Sequence, residues 1–238
     1  MKIQKYKNDF DYSYTLGITL TIELLKFHPK DVLYVYFHSS YSNSENSKIL
    51  IELINKYNIP TQTNDKIFNI LSNKENDYVI GVFRKYNSKL ENGNHIALVN
   101  PSNSGNLGTI IRTAIGFGIK NIAIIKPAVD IYDPKTVRAT MGALFHLNFE
   151  YFNSFNDYIT KYQNNVYSFM LKGEMELANT KFIEPFTLTF GNEATGLPDD
   201  FLKYNSVIIK QSKDIDSFNL PIALSIACYE ATKSHFNK

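Results

Sequence analysis

At 238 residues, with 44% hydrophobic and 20% charged side chains, the chain has the composition of an ordinary soluble protein long enough to bury a substantial core in one or two domains. A formal net charge of +2 advertises no strongly basic nucleic-acid surface, and no apolar run reaches the ~18 residues of a membrane helix. The lone Cys228 excludes an internal disulfide and paired-cysteine metal motifs, and the five scattered histidines show no ligand spacing, so a cytosolic (cytoplasmic), metal-free protein is expected.

The amino-terminal stretch "MKIQKYKNDFDYSYTL" carries lysines without an apolar core behind them, unlike a secretory signal. "TLGITLTIELLKFHP" reads as an amphipathic helix stopped by Pro29. "DVLYVYF" and "DYVIGVF" read as strands, rich in β-branched and aromatic residues. Between them, "SENSKILIELINKY" has helical spacing at Ile49, Leu50, Leu53 and Ile54, with Ser44 as its cap. "RKYNSKLENGN" is polar and carries a turn, which places a linker there. The domains are therefore expected at residues 1–90 and 91–238.

The second unit opens with the strand "HIALVN", a helix from about Asn106 to Phe117 stopped by Gly118, and the strand "NIAIIK". In "DPKTVRATMGALF", Asp133 is the expected N-cap and Pro134 the first helical residue. "NVYSFML", "FTLTF" and "SVIIKQ" read as further strands. The final helix, "LPIALSIACYEATKSH", is apolar on nearly every side through Cys228 and belongs in a core or a subunit contact. Strands alternating with helices predict a mainly parallel, two-faced α/β sheet.

Residues 1–90 carry 12 basic and 9 acidic side chains, and residues 91–238 carry 13 and 14. Only three of the 25 cationic residues are arginines: Arg84, Arg112 and Arg138. In a lysine-biased chain, a retained arginine marks a candidate site for a flat, bidentate fork, although surface arginine is common.

The turn "NPSNSGNLGTIIRTAIGFG" follows a strand and opens a helix, as phosphate- and nucleotide-binding turns do. A dinucleotide fingerprint is absent, since Gly105 and Gly108 give only GxxG and no acidic residue closes the next strand. No Gly-Lys-Ser/Thr follows, which excludes a Walker loop. Two later loops carry polar groups after strands: "LTFGNEATGLPDDF", exposing Asn192 and Glu193, and "DIDSFNLPIALSIACYE", with Ser217, Phe218 and Asn219. Each has a plain structural explanation: Ser217 as an N-cap, Glu193 as a solvated charge, Asn103 as an Asx-turn residue. Together they put polar groups on three strand-end loops, where open α/β sheets bind ligands.

The patterns N-x-G-x-x-x-R-T-A, F-G-N-E-x-x-G-L and S-F-N-L before a buried helix, in that order, resemble the three motifs of the SpoU/TrmH family. Members are RNA ribose 2′-O-methyltransferases of the SPOUT class. The resemblance covers about residues 95–238, and the front part is similar to the small substrate-binding domain that many members carry. It implies a SPOUT-type knotted α/β methyltransferase domain preceded by a small α/β RNA-binding domain. It also implies S-adenosylmethionine as cofactor, RNA (rRNA or tRNA) as substrate, and a homodimer whose active site uses both chains. Carried over by motif, Arg112 is the main catalytic residue, with Asn103, Glu193, Ser217 and Asn219 completing the site. Gly191, Ile209 and Phe218 fall where members grip the cofactor, and a β-carbon at Gly191 is expected to intrude on it. The chain departs from the family in "IIKQ", where Ile-Pro is common, and in Phe218 and Pro221 of the third motif. A non-catalytic RNA-binding protein that kept the fold is the alternative, and an NAD-type oxidoreductase would need the missing fingerprint.

Overall fold

The computed structural model describes residues 3–42, 45–72 and 77–236; Ser44, the expected cap of the second helix, lies outside them. In chain order the elements are β1 (Tyr12–Leu16), α1 (Ile18–Phe27), β2 (Val32–Phe37), α2 (Glu45–Tyr57), β3 (Thr61–Thr63), α3 (Asp65–Leu71) and β4 (Val79–Arg84). They continue with β5 (His95–Val99), α4 (Ser104–Gly116), β6 (Asn121–Ile125), α5 (Pro134–Ala139), β7 (Asn148–Phe152), α6 (Phe155–Lys161) and β8 (Asn165–Ser168). The chain ends with β9 (Met175–Glu176), β10 (Phe186–Phe190), β11 (Val207–Ile208) and α7 (Leu220–Thr232).

Two compact units emerge: residues 1–87 with 130–146, and residues 88–129 with 147–238. The break at Asn87 falls inside the polar linker read from the sequence. The excursion 130–146, expected in the second unit, instead packs in the first, for reasons that no local pattern encodes. Arg138 forks onto both oxygens of Asp77 at 3.0 and 3.1 Å, and the Tyr132 hydroxyl donates to the Tyr86 carbonyl at 2.6 Å. Lys85 reaches Asp130 at 3.0 Å, and Leu144 and Phe145 are buried.

The first unit holds the sheet β1-β4-β2-β3, with β4 antiparallel to both β1 and β2, and β2 parallel to β3. The expectation of a parallel sheet is therefore corrected here to a mixed one. The helix read from Thr15 begins only at Ile18, because Gly17 takes φ +111° and ends the β1 strand first.

The second unit is the parallel sheet β7-β6-β5-β10-β8. All five residues of β6 and of β10 are buried, as expected for strands covered on both faces. β9 and β11 form a small parallel pair beside it. "NVYSFML" contributes only four strand residues and "SVIIKQ" only two. α4 starts at Ser104 with Asn103 as its N-cap, and Gly118 (φ +75°) follows its end. α5 has the expected Asp133 cap and Pro134 start. From β5, the chain builds outward to β6 and β7 on one side, and β10 and β8 lie on the other. Strand order reverses between β5 and β10, and their carboxyl ends open the crevice where such sheets take ligands.

Candidate active site

The loop after β5 is shaped by Asn100, which adopts φ 55° and accepts 2.8 Å from the side-chain amide of Asn192 in the loop after β10. A non-glycine residue in the left-handed region is uncommon and concentrates at functional turns. One residue on, Glu193 ties the same two loops together. Its carboxylate accepts from the Ser102 hydroxyl (2.8 Å), the backbone N–H of Ser102 (3.1 Å) and of Asn103 (3.2 Å), and the Asn106 amide (3.2 Å). Burial alone would raise this carboxyl. The donors from Ser102 and Asn106 outweigh it and hold the group below the usual carboxylate range. Glu193 is thus an anionic clamp at the amino-terminal end of α4, where the helix dipole also favours negative charge.

Asn103 uses its side-chain oxygen to cap α4, accepting 3.0 Å from the N–H of Asn106. Its side-chain nitrogen has no protein partner among the described residues. Arg112 lies on α4, exposed, and makes no hydrogen bond or ion pair among the described residues. Ser217 is not an N-cap: α7 is capped at Asn219, without a side-chain bond, and Pro221 sits in its first turn. α4 and α7 pack together, with the hydroxyls of Thr113 and Ser225 3.4 Å apart.

A cavity of about 340 Å³ lies against the carboxyl end of β10. Gly191, Glu193, Ile209, Ser217 and Phe218 all line it, so five of the eight residues singled out in the sequence meet at one hollow. Arg112, Asn103 and Asn219 are not in its lining. Phe169 and Phe190, stacked at 4.6 Å between ring centroids, form part of its apolar wall. Gln211 and Asn192 add polar groups. A hollow with an aromatic wall and polar groups from Lys172, Asn192, Glu193, Gln211 and Ser217 suits a nucleoside-sized ligand.

The reason for glycine at 191 differs from the one expected. A β-carbon there would stand 2.1 Å from the carbonyl carbon of Gly196 and 2.4 Å from the nitrogen of Leu197, both backbone atoms of the chain itself. The close approach is chain on chain, so the expected intrusion on a ligand is not needed to explain this glycine. Gly173 repeats the device, with its β-carbon position 2.4 Å from the Val207 carbonyl carbon.

Sequence reasoning passed over Ser102 and Asn106, and named Asn192 only as an exposed residue of its loop. The signal for Asn106 was available: it stands six residues before Arg112, so N-x-G-x-x-x-R falls on Asn106, Gly108 and Arg112 letter for letter. Ser102 carries no pattern of its own. Among the described residues, no three His, Cys, Asp or Glu side chains are grouped to hold a metal ion, and no helix is long and apolar enough to cross a membrane.

Residues 93–229 match the model of the SpoU rRNA Methylase family. The chain is 28% identical over 137 residues to an uncharacterized tRNA/rRNA methyltransferase of Synechocystis, covering 56% of this chain and 50% of that one. It is 29% identical over 147 residues to the 23S rRNA (uridine(2479)-2′-O)-methyltransferase of Streptomyces viridochromogenes, covering 58% and 51%. The chain thus spans about half the length of these two relatives. An AdoMet-bound rRNA methyltransferase from Sinorhizobium meliloti superposes with a TM-score of 0.79 at 24% identity, over 96% of this chain and 89% of that one. The fold is accordingly the SPOUT-type knotted α/β methyltransferase fold. With more than half its length matched by the family model, the chain belongs to the SpoU rRNA Methylase family.

Proposed function

We propose that the protein transfers a methyl group from S-adenosylmethionine to a ribose 2′-hydroxyl of a structured RNA, either ribosomal or transfer RNA. The observation that carries this reading is the convergence of the second and third motif loops on one cavity, with Glu193 tying that cavity to the turn that starts α4. The names of the relatives support the reaction, and the AdoMet-bound state of the Sinorhizobium methyltransferase supports the cofactor. S-adenosylmethionine, when bound, supplies an electrophilic methyl on a sulfonium. Gly191, Ile209 and Phe218, which line the cavity together with Phe169 and Phe190, are the residues that would hold it.

The protein's own part is positioning and charge. In-line attack by a hydroxyl draws most of its acceleration from holding the partners in place. Arg112 offers a fork to the developing oxyanion and to a neighbouring phosphate. It orients and activates the hydroxyl, because a guanidinium hardly deprotonates near neutrality. Asn103, Ser217 and Asn219 present polar groups to the RNA backbone and sugar. Glu193 is a positioning residue, its carboxylate already taken by four donors, and Asn106 joins it in that role.

The exposed apolar side of α7 supports a homodimer. Ile222, Ile226 and Tyr229 lie at helical spacing with 52%, 36% and 58% of their surface exposed, an apolar stripe of the kind that marks a contact. Arg112 stands on α4, packed beside α7, so a partner seated on this stripe would lie close to it. The small front unit serves as the RNA grip, and the protein works in the cytoplasm.

The test is calorimetric titration with S-adenosylmethionine, then transfer of labelled methyl to bulk RNA with analysis of the digested nucleosides. Saturable binding and a 2′-O-methylated nucleoside are expected. Binding of RNA without cofactor binding would favour the non-catalytic alternative.

A further inference from the structure

One face of the first unit's sheet is unusually aromatic. Register sets Tyr12 opposite Arg84, Tyr14 opposite Val82 and Leu16 opposite Ile80, while Tyr34 and Tyr36 stand opposite Val82 and Ile80 on the other side. Directly opposed residues share a face, so all these side chains lie on one side of the sheet. Phe10 stacks on Tyr12 with ring centroids 4.9 Å apart and planes 23° from parallel, and Tyr34 stacks on Tyr36 at 5.1 Å and 18°.

The cover on this face is partial. α3 sends Ile67, Phe68 and Leu71 into the same cluster, and the amino-terminal segment adds Ile3 and Tyr6. Seven helical residues span only about 10 Å, short of the ~14 Å across four strands. Tyr14 and Tyr36 are buried, Phe10, Tyr12 and Tyr34 are half-buried with part of each ring still open, and Arg84 is exposed. Lys5 and Lys7 are exposed on the segment beside them.

The arginines sharpen this. Arg138 is committed to Asp77, and Arg112 belongs to the first motif. Arg84 makes no ion pair or hydrogen bond among the described residues and sits opposite Tyr12. A flat guanidinium beside half-buried rings, with lysines at the edge, matches the parts that hold single-stranded nucleic acid: π-faces for bases and cations for phosphates. A sequence-tolerant aromatic face favours unpaired bases over a duplex, whose bases are stacked away.

We propose that this face of the first unit binds unpaired RNA bases, which stack on Tyr34 and on the Phe10–Tyr12 pair while Arg84 takes a phosphate. The inference rests on the reading of the protein as an RNA methyltransferase, and narrows its substrate to RNA presenting a single-stranded loop or end. The full chain is titrated, by fluorescence anisotropy, with a labelled oligouridine of about 12 nucleotides, a length within single-strand site sizes, and with a duplex of equal length. The oligouridine should bind more tightly than the duplex. Tyr34→Ala and Arg84→Glu should each weaken it about five-fold or more, the scale of one lost stacking partner, and Tyr34→Phe should keep the wild-type affinity. Arg84 is exposed, so its variant tests the idea even if Tyr34→Ala fails to fold. Wild-type affinity in Arg84→Glu and in folded Tyr34→Ala, preference for the duplex, or no binding of oligouridine would overturn the proposal. Titration with S-adenosylmethionine runs in parallel, so failure of the methyltransferase reading and failure of the platform are told apart.

Discussion

The two sheets present functional groups by opposite rules. In the second unit β6 and β10 are buried along their whole length, so neither of these strands has a face left to meet a ligand. Chemistry is pushed to the strand ends, where Asn100, Glu193 and Gly191 stand in loops. In the first unit β3 is fully exposed and β2 is buried on alternate stretches only, leaving part of a face open, and that face carries the aromatic rings. A sheet covered on both sides works through its rim, and a sheet covered on one and a half sides can work through its surface. The teaching is physical: burial decides where polar and aromatic groups can still reach solvent.

The comparison breaks most visibly at Arg112, a rim residue. Arg112→Ala should lose at least ~100-fold in methyl transfer, the scale of one oxyanion donor, while calorimetric affinity for S-adenosylmethionine barely moves. Arg112→Lys should fail similarly if the fork matters, since lysine is a point charge. Single-turnover transfer within a few-fold of wild type would remove Arg112 from the site.

Gly191 separates fold from ligand at that same rim. Gly191→Ala puts a β-carbon onto the backbone of Gly196 and Leu197, so the apo protein should lose about 1–3 kcal/mol, the usual cost of overpacking. Thermal melting of the apo variant reads this directly. If the midpoint stays at the wild-type value and only cofactor affinity falls, the glycine serves the ligand instead of the chain.

How much of this was legible follows from the same physics. The rim was readable because β5, "HIALV", runs into Asn100 and β10, "FTLTF", into Gly191, Asn192 and Glu193, and because motif spacing survives without structure. The first unit's strands were harder. β1, "YSYTL", runs into Gly17 with one residue between strand and helix, so its end merges with the helical pattern of α1. β3, "TQT", is polar and three residues long, and in the second unit the edge strand β7, "NFEYF", was missed because it carries a charge in its middle. The excursion 130–146 was invisible because its anchors, Asp77 and Tyr86, lie 61 and 46 residues away in sequence. Deleting residues 1–90 would therefore strip Ile131, Val137, Leu144 and Phe145 of their unit, and is a poor test of where RNA binds. Motif placed Glu193 in the site, but taken alone it could equally have been a solvated charge; its four donors give it a positioning role.

The smallest expected effect probes the covered sheet from within. His95, 1% exposed in β5, has one ring nitrogen 2.8 Å from the Glu91 carbonyl and the other 2.9 Å from the Tyr158 hydroxyl, which in turn meets Thr187 at 2.6 Å. A carbonyl only accepts, so Nε2 carries the proton and neutral Nδ1 accepts from Tyr158. Protonating Nδ1 would reverse that bond, with Tyr158 turning its hydroxyl proton to Thr187, and would bury a charge. Burial accordingly holds the His95 pKa below its ordinary value, although the Glu91 carbonyl favours the protonated form. The sign follows: between the lowered native pKa and about 6.5, the unfolded chain binds a proton that the folded chain does not. Stability therefore rises with pH across that window, by up to about 1.4 kcal/mol per unit. Below the native pKa the loss is complete. The measurement is the difference in melting midpoint between wild type and His95→Gln from about pH 7.5 to about 5, a range that brackets the ordinary histidine value of ~6.5. Glutamine can donate to Glu91 and accept from Tyr158 without titrating, so the wild type should lose ground against it on acidification. Parallel curves would mean that the buried network opens to water before His95 takes a proton.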